Sequence, residues 1–192
     1  LYREDTKDCV IVDPGDEAKR IKKFIEDQEL HPVAILLTHG HFDHVMAVDS
    51  VRAAYHIPVY AAEAEKETMQ DASLNLSINM GGAMLSIEAD HWLKDGETIT
   101  LLDQEVRCIL TPGHTVGGMC FYFSKAGMLF SGDTLFQESV GRTDFPGGSM
   151  SEIVRSIREK LFVLPDAVQV YPGHGLMTSI KNEKMFNPFA VE

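Results

Sequence analysis

Apolar and polar positions follow two periods along this chain. Residues 9–12, Cys-Val-Ile-Val, form a β-branched apolar run closed by Asp13-Pro14-Gly15, the pattern of a buried strand entering a turn. Asp16 is placed to cap a helix whose apolar positions Ala18, Ile21, Phe24 and Ile25 share one face. Pro32 closes that segment, and residues 33–37 read as a second buried strand. A helix is expected over 45–55, a short strand over 58–60 and a helix over 63–70. The stretch 74–88, with Gly81-Gly82, reads as a loop.

The second half changes to short strands at 98–102, 106–110, 119–123 and 128–131. Turn residues such as Asp103-Gln104 and Lys125-Ala126-Gly127 separate them. Ser149 with Glu152 makes a capping box for a helix that turns Ile153, Val154, Ile157 and Leu161 inward. Pro165 stops it before a last strand over 167–171. Strands arranged both as hairpins and in alternation with helices imply a layered α/β fold, two sheets inside and helices outside. A single domain over 1–192 accommodates this.

The bulk composition narrows the function classes. A formal net charge of -12 argues against a nucleic-acid partner, whose affinity would come from Lys and Arg. No apolar run approaches the roughly 20 residues of a membrane span. The three cysteines, Cys9, Cys108 and Cys120, sit in strand-like apolar runs and are odd in number, so they read as reduced core residues rather than a disulfide framework. The sequence begins at Leu1 and offers no support for an export signal, so a cytoplasmic location is expected.

The stretch Thr38-His39-Gly40-His41-Phe42-Asp43-His44 is what a folding argument does not ask for. Imidazole nitrogen and carboxylate oxygen are ligands of zinc and similar divalent ions. In extended chain His39 and His41 point the same way, with Gly40 removing a side chain that would crowd an ion. Asp43 and His44 can face a second ion. Three further segments set a metal-type residue just past a strand and beside glycine: His114 in Thr-Pro-Gly-His, Asp133 in Ser-Gly-Asp-Thr and His174 in Tyr-Pro-Gly-His-Gly. Loops at strand ends converge because the sheet holds them rigidly. Five His and two Asp suffice for two sites about 3.5–4 Å apart with one bridging carboxylate. Each residue alone has an ordinary reading, as a loop residue, a satisfied core histidine or a turn cap. His31 and His56 are read as surface residues, and His91 beside Trp92 as an ordinary residue, with a pocket lining as the lesser alternative.

Taken in order, Asp13-Pro14-Gly15, the 39–44 cluster, His114, Asp133 and His174 resemble the metallo-β-lactamase superfamily over nearly the whole chain. The resemblance implies an αββα four-layer sandwich with a dinuclear site at one edge. His39, His41 and His114 would hold the first metal, Asp43, His44 and His174 the second, and Asp133 would bridge. Asp13 would support the ligands without touching metal. Two zinc ions are expected, with iron or manganese also accepted by such ligands. The resemblance also implies that the chain starts inside the family's first hairpin, without its first strand.

Within the superfamily, β-lactamases usually place Cys where Asp133 stands, and flavodiiron proteins place Glu where His41 stands. The strings around "SGDTLFQESVGRTDFPGG" and "KNEKMFNPF" are most similar to glyoxalase II, a hydroxyacylglutathione hydrolase, in a short form without the helical glutathione-binding domain. The implied activity is thioester hydrolysis: a water shared by two cations, its pKa lowered toward about 7, attacks the acyl carbonyl. Three departures bear on the substrate. The helical domain is not in this sequence, Thr143 and Asp144 stand where the glutathione-contacting loop has aromatics, and Gly175 follows the last metal histidine in place of Tyr. Arg142 is the matching basic residue and can either grip a substrate carboxylate or pair with Asp144. Two rival readings are a persulfide dioxygenase using one iron on His39, His114 and Asp133, and a non-catalytic metal-binding domain. The oligomeric state is not legible.

Overall fold

The computed structural model describes residues 1–190, in which two sheets lie face to face between layers of helices. The first sheet is parallel and ordered β1 (Asp8–Val12), β2 (His31–Leu36), β3 (Val59–Ala62), β4 (His91–Leu93). Its crossovers carry α1 (Ala18–Asp27), α2 (Phe42–Val45), α3 (Val48–Tyr55) and α4 (Lys66–Gln70). The second sheet has six strands. β5 (Thr98–Leu101), β6 (Gln104–Leu110), β7 (Met119–Phe123) and β8 (Met128–Gly132) form antiparallel neighbours, and β11 (Gln169–Pro172) joins β8 in parallel. A small hairpin, β9 (Leu135–Phe136) with β10 (Ser139–Val140), follows β8, and β12 (Thr178–Ser179) closes the edge. α5 (Met150–Ser156) and α6 (Ile180–Phe186) belong to this half. No helix among the described residues is long and apolar enough to cross a membrane.

The period of two decides which layer each strand residue joins. In β2, Ala34 and Leu36 face the other sheet, whereas Ile35 and the following Leu37 pack with Val45, Val48 and Val51 of the helical side. In β7, Met119, Phe121 and Phe123 enter the space between the sheets. Cys120 instead joins Ile153, Ile157 and Leu161 under α5 and the π-type turn that continues it. Three layers of apolar contact therefore lie between four layers of structure, the αββα sandwich. All three cysteines are buried and unpaired.

Four local expectations are corrected. Asp16 does not cap α1: its carboxylate takes only the amide of Glu17, at 2.6 Å, and Glu17 itself starts the helix from a left-handed backbone without a side-chain cap. Phe24 is 56% exposed, because it lies on the flank of α1 beyond β1, the outermost strand of its sheet. Pro32 falls inside β2 rather than ending the preceding segment. It is tolerated because β3 pairs with β2 only from Ile35 onward. The helix expected over 45–55 is two helices, and the break has a cause. The Ala47 amide donates to the Pro14 carbonyl at 3.0 Å, tying the turn that carries His41, Asp43 and His44 to the loop after β1. Strand β4, the two-residue strands and α6 had no expectation; α5, with the Ser149 hydroxyl accepting from the Glu152 amide, begins where the capping box sets it.

Candidate metal centre

Five loops leaving the C-terminal ends of strands meet at one edge of the sandwich. They carry Asp13 after β1, residues 38–44 after β2, His114 after β6, Asp133 after β8 and His174 after β11. β6, β8 and β11 point the same way because β7 runs antiparallel between the first two. The Met119 amide donates to the Thr38 carbonyl at 2.8 Å and stitches the two sheets together there.

All seven residues singled out as ligands come together. His41 Nδ1 lies 2.9 Å from His114 Nε2, and the rings of His39 and His114 are 4.9 Å apart. His44 Nε2 lies 3.2 Å from His174 Nε2, which is 3.2 Å from Asp43 Oδ2. Asp133 stands between the two groups: one oxygen is 3.4 Å from His44 Nε2, the other 3.6 Å from His114 and 3.8 Å from His174. His39, His41 and His114 are buried, while the side chains of Asp43 and His174 are 41% and 56% exposed. The cluster is thus closed behind and open on one side. Gly173 makes this possible, since a Cβ there would overlap Asp133 Oδ1 and His44 Cε1. Gly40 has a different role from the one expected. A side chain there would strike Met69 of α4, 2.8 Å from its Cγ, rather than crowd the ligands.

The hydrogen bonds behind the rings set which nitrogen faces the cluster. Thr38 Oγ1 donates to Asp13 Oδ2 at 2.6 Å and so receives the Nδ1 proton of His39 at 3.1 Å, leaving the Nε2 lone pair inward. His114 Nδ1 donates to the Arg142 carbonyl at 2.7 Å, and His44 Nδ1 donates to Asp13 at 3.0 Å. Yet His39 Nε2, His41 Nε2 and Asp133 Oδ1 are buried without any hydrogen-bond partner. Stranded buried acceptors cost roughly 1–3 kcal/mol each, so the inward lone pairs of His39 Nε2 and Asp133 Oδ1 fit a bound cation, whereas His41 meets His114 through its other nitrogen, Nδ1. Asp13 is not stranded. Its two oxygens take the Thr38 amide at 2.8 Å, the Thr38 hydroxyl and His44, which makes it a support for ligands, and its φ of 47° aims the carboxylate back at Thr38.

Electrostatics separate two kinds of ring in the cluster. Burial, then the neighbouring imidazoles, holds His39 far below the ordinary histidine range and His41 at about 3. These rings are therefore neutral and ready to bind metal at any physiological pH. His44 differs: burial lowers it, but the hydrogen bond and charge of Asp13, with Asp133 and Asp43, outweigh that and raise it to about 9. Burial pushes the Asp133 carboxyl up against the pull of His44, His114 and His174.

Residues 1–174, which contain every one of these groups, match the family model of the metallo-beta-lactamase superfamily. The chain belongs to that superfamily. It is 41% identical over 182 residues to the probable metallo-hydrolase YqgX of Bacillus subtilis (strain 168), covering 94% of this chain and 86% of the relative. It is 37% identical over 193 residues to the hydroxyacylglutathione hydrolase GloC of Haemophilus influenzae, covering 98% of this chain and 90% of GloC. The crystal structure of BLEG-1 B3 metallo-beta-lactamase superimposes with a TM-score of 0.94 at 41% identity, over 100% of this chain and 92% of that one.

Within this superfamily fold, one buried residue carried no sequence signal. Glu65 sits in the acidic run Glu63-Ala64-Glu65-Lys66-Glu67, which reads as a solvated helix face, yet it is 1% exposed. Its carboxylate accepts the Gly40 amide at 3.0 Å, the Thr115 hydroxyl at 2.9 Å and the Gly117 amide at 2.7 Å, clamping the His39–His41 segment to the His114 loop. Arg142 lies beside the cluster, but Nε and Nη2 both donate to Asp144 at 2.7 Å. His31, His56 and His91 are exposed; His91 stacks on Tyr60 at 4.4 Å, away from the centre. Asp13→Ala frees the His44 ring and the Thr38 hydroxyl. We expect it to weaken metal retention by about 10–100-fold in a chelator competition, with a melting temperature measured in parallel.

Proposed function

We propose that this chain is a metal-dependent hydrolase of acyl thioesters, with S-lactoylglutathione as the first substrate to test. The observation that carries the reading is the set of inward lone pairs and the partnerless Asp133 oxygen, meeting at the open side of a cleft of about 390 Å³. His39, His41 and His114 would hold one cation, Asp43, His44 and His174 another, and Asp133 would contact both. Divalent cations bound there would acidify a water to near neutral pKa and polarise the acyl carbonyl. Asp13, Thr38 and the Arg142 carbonyl keep the imidazole lone pairs aimed inward. Phe42, Leu76, Met80, Phe136 and Val140 line the cleft, bind the apolar part of the substrate and keep bulk water out. A thiol, with a pKa near 8.5, leaves as thiolate without a protonating group, whereas an amide nitrogen needs one. The lining offers no unpaired Lys or Arg for that task among the described residues, which favours a thioester.

The similarity to GloC supports the same substrate class. The match spans 90% of GloC, so the fold described here accounts for nearly all of that relative. Three buried, unpaired cysteines support the cytoplasm as the location. A second reading, β-lactam hydrolysis, is supported by the likeness at 41% identity to BLEG-1, a B3 metallo-beta-lactamase.

The test is elemental analysis of purified protein beside assays on S-lactoylglutathione and a chromogenic cephalosporin. We expect two metals per chain and thioester turnover that a chelator removes and zinc restores. Cephalosporin turnover without thioester turnover would establish the second reading instead. One iron per chain with sulfite formed from glutathione persulfide would replace hydrolysis with oxidation.

A further inference from the structure

Arg142 is the only Lys or Arg lining the cleft beside the metal centre, among the described residues. Its position is fixed twice. Its carbonyl receives the His114 Nδ1 proton at 2.7 Å, and its guanidinium lies over the Phe145 ring, 3.9 Å from the centroid. A planar guanidinium so held would present its fork to a substrate carboxylate. That fork is already used: Nε and Nη2 each donate to one oxygen of Asp144 at 2.7 Å. The pair as a whole carries no net charge. Apart from the neutral Ser139, the rest of the lining is apolar, as at Leu76, Met80, Phe136 and Val140, or belongs to the His and Asp cluster. The chain as a whole carries -12, so no distant field draws an anion in.

From this we infer that Asp144 is a specificity-determining residue: it occupies the carboxylate-binding face of Arg142 and tunes the cleft toward acyl thioesters whose thiol arm is uncharged. The inference rests on the hydrolase reading for its chemistry but not for its test, because binding can be read without turnover. Carboxylates on a glutathione-like arm must displace Asp144 or leave Arg142 unused. The exchange gains nothing, since one exposed ion pair replaces another.

The test uses the metal-loaded full chain and S-methylglutathione, a thioether that cannot be hydrolysed. Calorimetric titration of wild type, Asp144→Ala and the double variant Arg142→Gln/Asp144→Ala reads the anionic arm directly. Asp144 is exposed, with 66% of its side chain in solvent, so its removal spares the core. Asp144→Ala is expected to bind S-methylglutathione about fivefold more tightly than wild type, the scale of one exposed pair, and the double variant is expected to lose that gain. In parallel, the ratio of kcat/KM for S-lactoylglutathione to that for S-lactoyl-N-acetylcysteamine, the same acyl group on an uncharged thiol, should rise by a similar factor in Asp144→Ala. Equal affinity of wild type and Asp144→Ala would overturn the inference. So would a gain that persists without Arg142. If tighter binding follows the expected pattern while neither thioester turns over, the specificity assignment stands and the thioester reading fails.

Discussion

Asp133→Asn is expected to yield a folded protein that has lost roughly a thousandfold or more in kcat/KM and no longer retains a full metal complement. Among the described residues, Asp133 is the one carboxylate with an oxygen within 4 Å of ring nitrogens from both halves of the cluster, His114 on one side and His44 and His174 on the other. Its carboxylate is 12% exposed, and Oδ1 has no hydrogen-bond partner. Stabilising transition-state charge at such a centre is worth several kcal/mol, and each 1.36 kcal/mol is a factor of ten in rate, so three decades require only about 4 kcal/mol. The same burial makes Asp133 costly in the metal-free chain, where desolvation pushes its carboxyl up. Asparagine removes that cost. The metal-free variant should therefore melt no lower than the metal-free wild type, and a chelator should shift its melting temperature far less, because only bound ligand contributes that stability. A purely structural Asp133 predicts the reverse ordering: a lower melting temperature without metal and unchanged metal content after dialysis.

The parts of this architecture that were legible in the sequence are those written in short range. Apolar runs over residues 33–37 and 119–123 marked strands, and the layer each side chain joins then follows, because a strand turns neighbours to opposite faces. The residues that converge were legible because five imidazoles and two carboxylates beside strand ends have few other uses. What was not legible depended on distant partners. The break between α2 and α3 follows from a bond to the Pro14 carbonyl, and the need for glycine at position 40 follows from Met69 of α4. Whether Arg142 pairs with Asp144 or stays open depended on loop geometry that two residues' identities do not specify. Glu65 was the largest omission, since only tertiary packing distinguishes a clamped carboxylate from its solvated neighbours Glu63 and Glu67.

Glu65→Ala is the second change with a large expected effect, and it separates clamping from catalysis. The side chain is buried, and burial holds its carboxyl up at about 7 despite the three donors that favour the ionised form. Deletion removes that desolvation cost but strands the Gly40 and Gly117 amides and the Thr115 hydroxyl. Stranded buried donors cost about 1–3 kcal/mol each, and the threonine hydroxyl can turn to another acceptor, so the loss should outweigh the relief by about 2–4 kcal/mol. For a chain of this size that lowers the melting temperature by roughly 10 °C. Because Gly40 lies between His39 and His41, and Thr115 adjoins His114, the same change loosens three ligand positions, and metal retention should weaken by about 10–100-fold. Glu65→Gln supplies the control. Its carbonyl can still accept one amide, and its amino group can donate to a rotated Thr115 hydroxyl, leaving one unsatisfied backbone donor instead of two. Stability and metal retention should therefore both fall in the order wild type, Gln, Ala. If Glu65→Ala melts lower yet holds metal as tightly as wild type under chelator competition, the ligand loops keep their geometry without the clamp and the positioning role is wrong.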